Sequence, residues 1–146
     1  MALYYDWVND PEVRRQSFQT APIAWEEHYT WFTQKLADPS CFLGVLEAQG
    51  LPIGQIRFDL QGDEAVIDYS LDVLVRGRGW AVQLLCLGID RLRTVSTHFL
   101  RADVKRENAA SRAVLLQLGF MEKPSPLGAI TSRFYLPLSW ICQGRW

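Results

Sequence analysis

Apolar and polar positions change period twice along this chain. Between Trp25 and Leu36, the residues Trp25, Tyr29, Phe32 and Leu36 recur every three or four positions. That spacing predicts one helix over "APIAWEEHYTWFTQKLADPS" with those four on its buried stripe, stopped by Pro39. Ahead of it, "NDPEVRRQSF" reads as a short helix that Asn9 or Asp10 can cap, with Pro11 in its first turn. From Phe42 the period changes. Strands are expected near residues 42–48, 52–60 and 64–73, an antiparallel meander with turns at Gln49-Gly50 and Gln61-Gly62-Asp63. The helical period returns from Gly79 to about Arg93, with Ala81, Leu84, Leu85, Gly88, Ile89 and Leu92 on one face. "THFLRADV" reads as a strand, and Asn108 can cap a helix "AASRAVLLQL" that ends at Gly119. A strand starts at residues 120–122, "PSPLGA" is loop, and "ITSRFYLPL" is the last strand.

The predicted order is helix, helix, three strands, helix, strand, helix, two strands. It describes an α/β fold, a mixed central sheet with helical crossovers. Ligands on such sheets bind where a strand ends and a helix begins.

Composition narrows the class. A chain of 146 residues, 49% hydrophobic with six Trp and seven Phe, makes a single domain over residues 1–146 with one core. The formal net charge of -1 supplies no global field for nucleic acid or an anionic membrane. No apolar run approaches the roughly 20 residues of a membrane span, and "MALYYDWVNDPEV" lacks a basic-then-apolar leader pattern. Cys41, Cys86 and Cys142 are odd in number, widely spaced and in apolar contexts, which suits free thiols in a reducing cytoplasm. No metal site is expected.

The chemistry concentrates in "DVLVRGRGWAVQLLCLGID", where a strand-like run meets a helix-like run through Arg76-Gly77-Arg78-Gly79. Unpaired N–H groups at a helix start, glycines before it and arginines beside it make a cradle for phosphate. The loop is neither a Walker A sequence nor GxGxxG. On the residues alone, a cradle and a solvated turn both remain open.

Arg76-Gly77-Arg78-Gly79-Trp80-Ala81 matches R/Q-x-x-G-x-G/A, the acyl-CoA loop of the GNAT N-acetyltransferases. The strand "IDYSLDV" before it, then "LRADV" and "NAASRAVLLQLGF" after it, follow that family's order. The chain therefore resembles a GNAT enzyme. The resemblance implies acetyl-CoA as cofactor and direct attack by a primary amine in a ternary complex. It implies that the backbone of Arg78, Gly79, Trp80 and Ala81 holds the pyrophosphate, with the Arg76 and Arg78 side chains nearby and Gly77 in the same loop. Leu71, Asp72 and Val73 would pair with pantetheine and supply an oxyanion donor. Asn108 would lie near the sulfur, with N-capping as the plain alternative, and Ser111 and Arg112 near the CoA phosphates or adenosine.

For the base, Asp103 falls where ribosomal-protein acetyltransferases of the family carry a Glu; a strand residue paired with Lys105 or Arg101 is the alternative. His28 is the second candidate, its pKa suited to neutral pH, against a packed core His. A water relay is the third. Many GNATs carry a Tyr seven residues after the Asn; here Leu115 stands there. Either another residue such as Tyr69 protonates the thiolate, or it leaves unprotonated.

The N-terminal segments "DWVNDPEVRRQSF", "EEHYTWF" and "PIGQIRFD" resemble the branch that acetylates UDP-4-amino-4,6-dideoxy sugars in pathways of the pseudaminic acid type. That resemblance implies a nucleotide-linked amino sugar as acceptor, with Asn9, Arg14, His28, Trp31, Arg57, Asp59 and Tyr69 around it. Core packing of Trp31 and an Arg57–Asp59 salt bridge are the plain alternatives. Other acceptors, namely a protein N-terminus, an antibiotic or a polyamine, stay open, as does a non-catalytic CoA-binding module. The family's first strand is missing or vestigial here. The sheet then lacks that element, the partner of a homodimer covers its edge, or the start is misassigned.

Overall fold

The computed structural model describes residues 1–92 and 98–141. Two short helices, α1 (Ala2–Val8) and α2 (Pro11–Gln16), lead into α3 (Trp25–Ala37). The meander follows as β1 (Cys41–Ala48), β2 (Leu51–Gln61) and β3 (Glu64–Leu71). Then come α4 (Trp80–Arg91), β4 (Phe99–Lys105), α5 (Ala109–Gln117), β5 (Met121–Pro124), β6 (Thr131–Pro137) and α6 (Leu138–Ile141). The strands form one mixed sheet in the order β1-β2-β3-β4-β6-β5, in which, among the described residues, only β3 and β4 run parallel.

The meander, α4, β4, α5 and the last two strands stand where the periodicity puts them. Arg93 and Thr97, at the expected ends of α4 and β4, lie outside the described residues, as does Cys142. Two helices were not expected. α1 fills the start of the chain, and α6 follows the last strand. β1 is an edge of the sheet, in keeping with a missing first strand, and the Tyr4 hydroxyl of α1 donates to the Gly44 carbonyl on it (2.7 Å).

The sheet has two unlike faces, because alternate residues of a strand point opposite ways. Ile56 and Phe58 of β2 and Ala65 and Ile67 of β3 bury against α4 and α5 with Leu84, Leu85, Ile89 and Leu115. The opposite face of β2 carries Gln55, Arg57 and Asp59. This polar face corrects the expected stripe of α3. Of the four expected residues Phe32 alone is buried, joined by His28, while Trp25, Tyr29 and Leu36 are 40%, 51% and 62% exposed. Lys35 and Trp31 complete the inward side: the Lys35 ammonium meets Asp59 Oδ1 at 2.6 Å, and the Arg57 guanidinium lies 5.2 Å from the Trp31 ring centre. A helix that covers charged strand residues turns its cation and its amphipathic rings toward them.

Candidate active site

β3 and β4 pair over only three residues, from Glu64↔Phe99 to Val66↔Arg101. Beyond Val66 the two strands separate, while β3 stays zipped to β2 as far as Gly54↔Leu71 and β4 to β6 as far as Lys105↔Thr131. The gap opens a cleft of about 690 Å³. Its walls include Ile67 to Leu71 of β3, Ala102 to Val104 of β4, Gly77 and Gly79 before α4, and Asn108 and Ser111 of α5. Glu27, His28 and Trp31 of α3 line it from the other side of the sheet. The cleft thus passes through the sheet and joins its two faces.

The donor end is built around two left-handed glycines. Gly77 and Gly79 have φ of +74° and +82°, and nothing lies within 4 Å of a Cβ placed on either. Gly79 caps α4 without a side chain, so the first N–H groups of that helix face open space. Arg78 is exposed and has no ion-pair partner among the described residues. Arg76 is different: its Nε donates to the Leu71 carbonyl (3.0 Å) and its Nη2 lies 2.9 Å from Asp10 Oδ1. Arg76 braces the loop against α2 instead of facing phosphate.

A family model described as the acetyltransferase (GNAT) domain matches residues 1–121. The chain belongs to the GNAT family. It is accordingly an acetyl-CoA-dependent N-acetyltransferase, and the helix start at Gly79 has the open backbone that a pyrophosphate needs. No curated protein sequence matches the chain. Among solved structures it is similar to spermidine N-acetyltransferase from Vibrio cholerae in complex with CoA and spermine. That match has a TM-score of 0.81 and 18% identity over 94% of this chain and 89% of the other. It is also similar to RimL, a ribosomal L7/L12 α-N-protein acetyltransferase in complex with coenzyme A (TM-score 0.78, 15% identity, 93% and 87% covered). A domain from Methanocaldococcus jannaschii DSM 2661 gives a TM-score of 0.80 at 17% identity, with 93% and 90% covered.

Within this GNAT domain the expected donor residues divide. Asn108 caps α5, its Oδ1 accepting from the Ser111 N–H (3.1 Å), and it lines the cleft as well. Ser111 lies deeper than expected: its Oγ accepts from the Tyr69 hydroxyl (3.1 Å) inside the cleft. Burial pushes the Tyr69 phenol up from its ordinary pKa, the Ser111 bond only partly opposing it. Arg112 is turned away, bound to both Glu122 oxygens at 3.0 and 3.1 Å. Leu115 is fully buried in the core, so the usual tyrosine position offers no hydroxyl.

Of residues 71–73, Asp72 is engaged internally. Its N–H donates to the Ile53 carbonyl, its carbonyl accepts from Val75, and its carboxylate accepts from Trp7 Nε1 (3.0 Å) and the Leu74 N–H (2.9 Å). The Trp7 bond and the Leu74 N–H together hold that carboxyl below its usual pKa. Val73 is exposed and Leu71 gives its carbonyl to Arg76. The β3 backbone left open by the gap lies upstream of Asp72.

The acceptor residues are corrected more heavily. Asn9 binds the Ile23 backbone through both side-chain atoms and lies outside the cleft. Arg14 spends its guanidinium on the carbonyls of Val8, Gln19 and Ala21 and on Ser17 Oγ. Arg57 binds Asp59 (2.8 Å), which also holds Lys35, and Asp59 does not reach the cleft. Asp103 is clamped by Arg133, Nε to Oδ1 at 2.6 Å and Nη2 to Oδ2 at 3.0 Å. Both oxygens of that carboxylate are thus taken by one guanidinium. His28 is 2% exposed among the rings of Tyr5, Trp25, Trp31 and Phe32, and its Nε2 has no partner. Burial lowers its pKa.

Sequence reasoning passed over Glu27, Gln55 and Asp68. Gln55 Nε2 donates to Ser70 Oγ (3.2 Å) and Asp68 Oδ1 (3.4 Å) on the polar face of β2 and β3. The signal was present in "IDYSL": alternation puts Asp68 and Ser70 on the face opposite Tyr69.

Proposed function

We propose that this GNAT domain acetylates a small primary amine that enters from the α3 side and attacks the acetyl-CoA thioester directly. The cleft between the splayed strands carries this reading, because it connects the open start of α4 with the polar face under α3. The N–H groups of residues 78–81 would hold the pyrophosphate, and the open backbone of β3 would align the pantetheine toward the gap. Tyr69 and Ser111 stand on the donor wall, where a hydroxyl can donate to the departing thiolate. A phenol kept protonated by burial suits that task.

Charge favours a cationic acceptor over one that carries a diphosphate. Arg14, Arg57 and Arg76, the cations nearest the cleft, are each bound to backbone or carboxylate. Glu27 and Asp68 line the same half; among the described residues Glu27 has no ion-pair partner, and Asp68 has Arg57 Nη2 at 3.9 Å from Oδ2. The similar solved structure from Vibrio cholerae carries spermine, in line with an amine acceptor. Among the described residues that line the cleft, no arginine is left unpaired to meet the phosphates of the UDP-linked amino sugar implied by the N-terminal motifs.

CoA thiol release tests the reading, with a diamine or polyamine, a peptide N-terminus and a UDP-amino sugar offered at equal concentration. The highest kcat/KM is expected for the polycationic amine. A nucleotide sugar that outruns it by tenfold would overturn the acceptor class, and tight CoA binding without turnover on any amine would overturn the enzyme reading.

A further inference from the structure

Asp68 sits two residues past Val66, the last β3 residue paired with β4, so it stands at the mouth of the gap. It belongs to the acceptor face, opposite in register to Arg57 on β2. Its side chain is 56% exposed and lines the cleft. Gln55 Nε2, itself on a buried side chain, lies 3.4 Å from Oδ1, and Arg57 Nη2 stands 3.9 Å from Oδ2. The carboxylate is therefore oriented from below by an amide yet keeps open lone pairs toward the cleft.

The other acidic groups of the acceptor half are placed differently. Asp103 is closed by Arg133, and Glu12 is bound by Arg15 and Gln16. Glu27 stands on α3, on the far wall from the strand that carries Tyr69. Among the described residues, Asp68 alone offers an unclamped carboxylate from the separating strand itself. Its neighbour Tyr69 points to the other face, toward Ser111.

Resting on the transferase reading above, we propose that Asp68 receives the acceptor ammonium at the gap and takes its first proton. One N–H proton passes from the ammonium to an Asp68 oxygen and on to solvent. The freed lone pair forms the C–N bond and the carbonyl electrons move to oxygen. As the carbonyl reforms, the C–S bond breaks with its pair on sulfur. The nitrogen loses a second proton, and the thiolate gains one to leave as the thiol. β3 then carries the proton acceptor on one face and the leaving-group donor on the other, separated by a single peptide.

The test compares an alkylamine, protonated at neutral pH, with the matching alkoxyamine, which is neutral there and needs no proton acceptor before attack. Asp68→Asn should lower kcat/KM for the alkylamine on the order of a hundredfold, within the usual range for general-base groups. It should change the alkoxyamine by less than threefold and leave acetyl-CoA affinity unaltered. Asp68→Glu should recover part of the alkylamine rate. Equal losses on both amines, or no loss on either, would overturn the assignment while the transferase reading stands. A wild-type chain inert toward every amine would overturn both.

Discussion

Asp103 and Arg133 face each other across the β4–β6 ladder and share two hydrogen bonds, Nε to Oδ1 at 2.6 Å and Nη2 to Oδ2 at 3.0 Å. Both side chains are mostly buried, at 10% and 14% exposure. This pair turns a residue that sequence order marks as a base into a strand clamp at the edge of the cleft. Removing one partner strands the other's charge. Asp103→Asn should therefore lower unfolding free energy by about 2 kcal/mol, with Arg133→Ala at least as damaging. Per folded molecule, single-turnover rates should fall less than fivefold. Denaturant melts paired with thiol-release assays read both quantities, and a large rate loss without a stability loss would restore Asp103 as a base.

Gly79 holds φ at +82° with empty space where a Cβ would point. Gly79→Ala has room but costs roughly 1–2 kcal/mol of left-handed strain. Gly79→Glu adds a carboxylate at the helix start proposed to hold the pyrophosphate, so CoA affinity should drop beyond detection. Calorimetric titration with CoA, next to a circular dichroism melt, separates lost binding from lost fold.

Gly88 marks the closest approach of α4 to the sheet: a Cβ there would meet Ile56 Cδ1 at 2.7 Å and Phe58 Cε2 at 3.1 Å. Both neighbours lie in the core, so Gly88→Ala should push the helix outward and cost about 1–3 kcal/mol. Because the same helix starts at the proposed pyrophosphate cradle, CoA affinity should weaken with it. An unchanged melting temperature would mean that Ile56 gives way freely.

His28 is held neutral by burial, with its pKa below the ordinary 6.5. In the unfolded chain it takes up a proton near pH 6.5. Stability from the neutral ring is thus fully present above that pH and is lost as pH falls toward the lower folded value. Urea midpoints should decline between pH 7 and pH 5, and His28→Gln should flatten that decline. An equally steep decline in the variant would place the acid sensitivity elsewhere.

Tyr69→Phe removes the hydroxyl bound to Ser111 without altering the ring's packing. Single-turnover acetyl transfer should slow on the order of tenfold, as for one hydrogen bond to a charged group. CoA affinity should hold. Rapid-quench measurement checks it, and wild-type rates would leave the thiolate to depart without help from this wall.

Much of the cleft's donor half was legible in the chain. Two glycines with arginines at a strand-to-helix junction, and an Asn that caps the next crossover helix, describe local backbone conformation, and such conformation depends on few neighbours. Gly77 and Gly79 accordingly take left-handed backbone, and Asn108 caps α5. The acceptor half was not legible, because each of its polar groups has a choice of partners. Arg14 could meet a phosphate or the carbonyls of its own loop; Asp103 could take a proton or Arg133; Ser111 could meet a CoA phosphate or Tyr69. Three of the four expected stripe residues of α3, all but Phe32, are exposed for a related reason. Hydrophobic spacing assumes an apolar surface beneath the helix, and the surface here is Gln55, Arg57 and Asp59.

The sequence by itself determined the order of elements, the GNAT membership and the glycine-opened helix start at Gly79, since periodicity and turn chemistry act within a few residues along the chain. The tertiary structure decided which charges are consumed by one another and which face the gap between β3 and β4. Partner choice among charged groups depends on distances between elements, from Lys35 to Asp59 or from Asp103 to Arg133, that no spacing along the chain encodes.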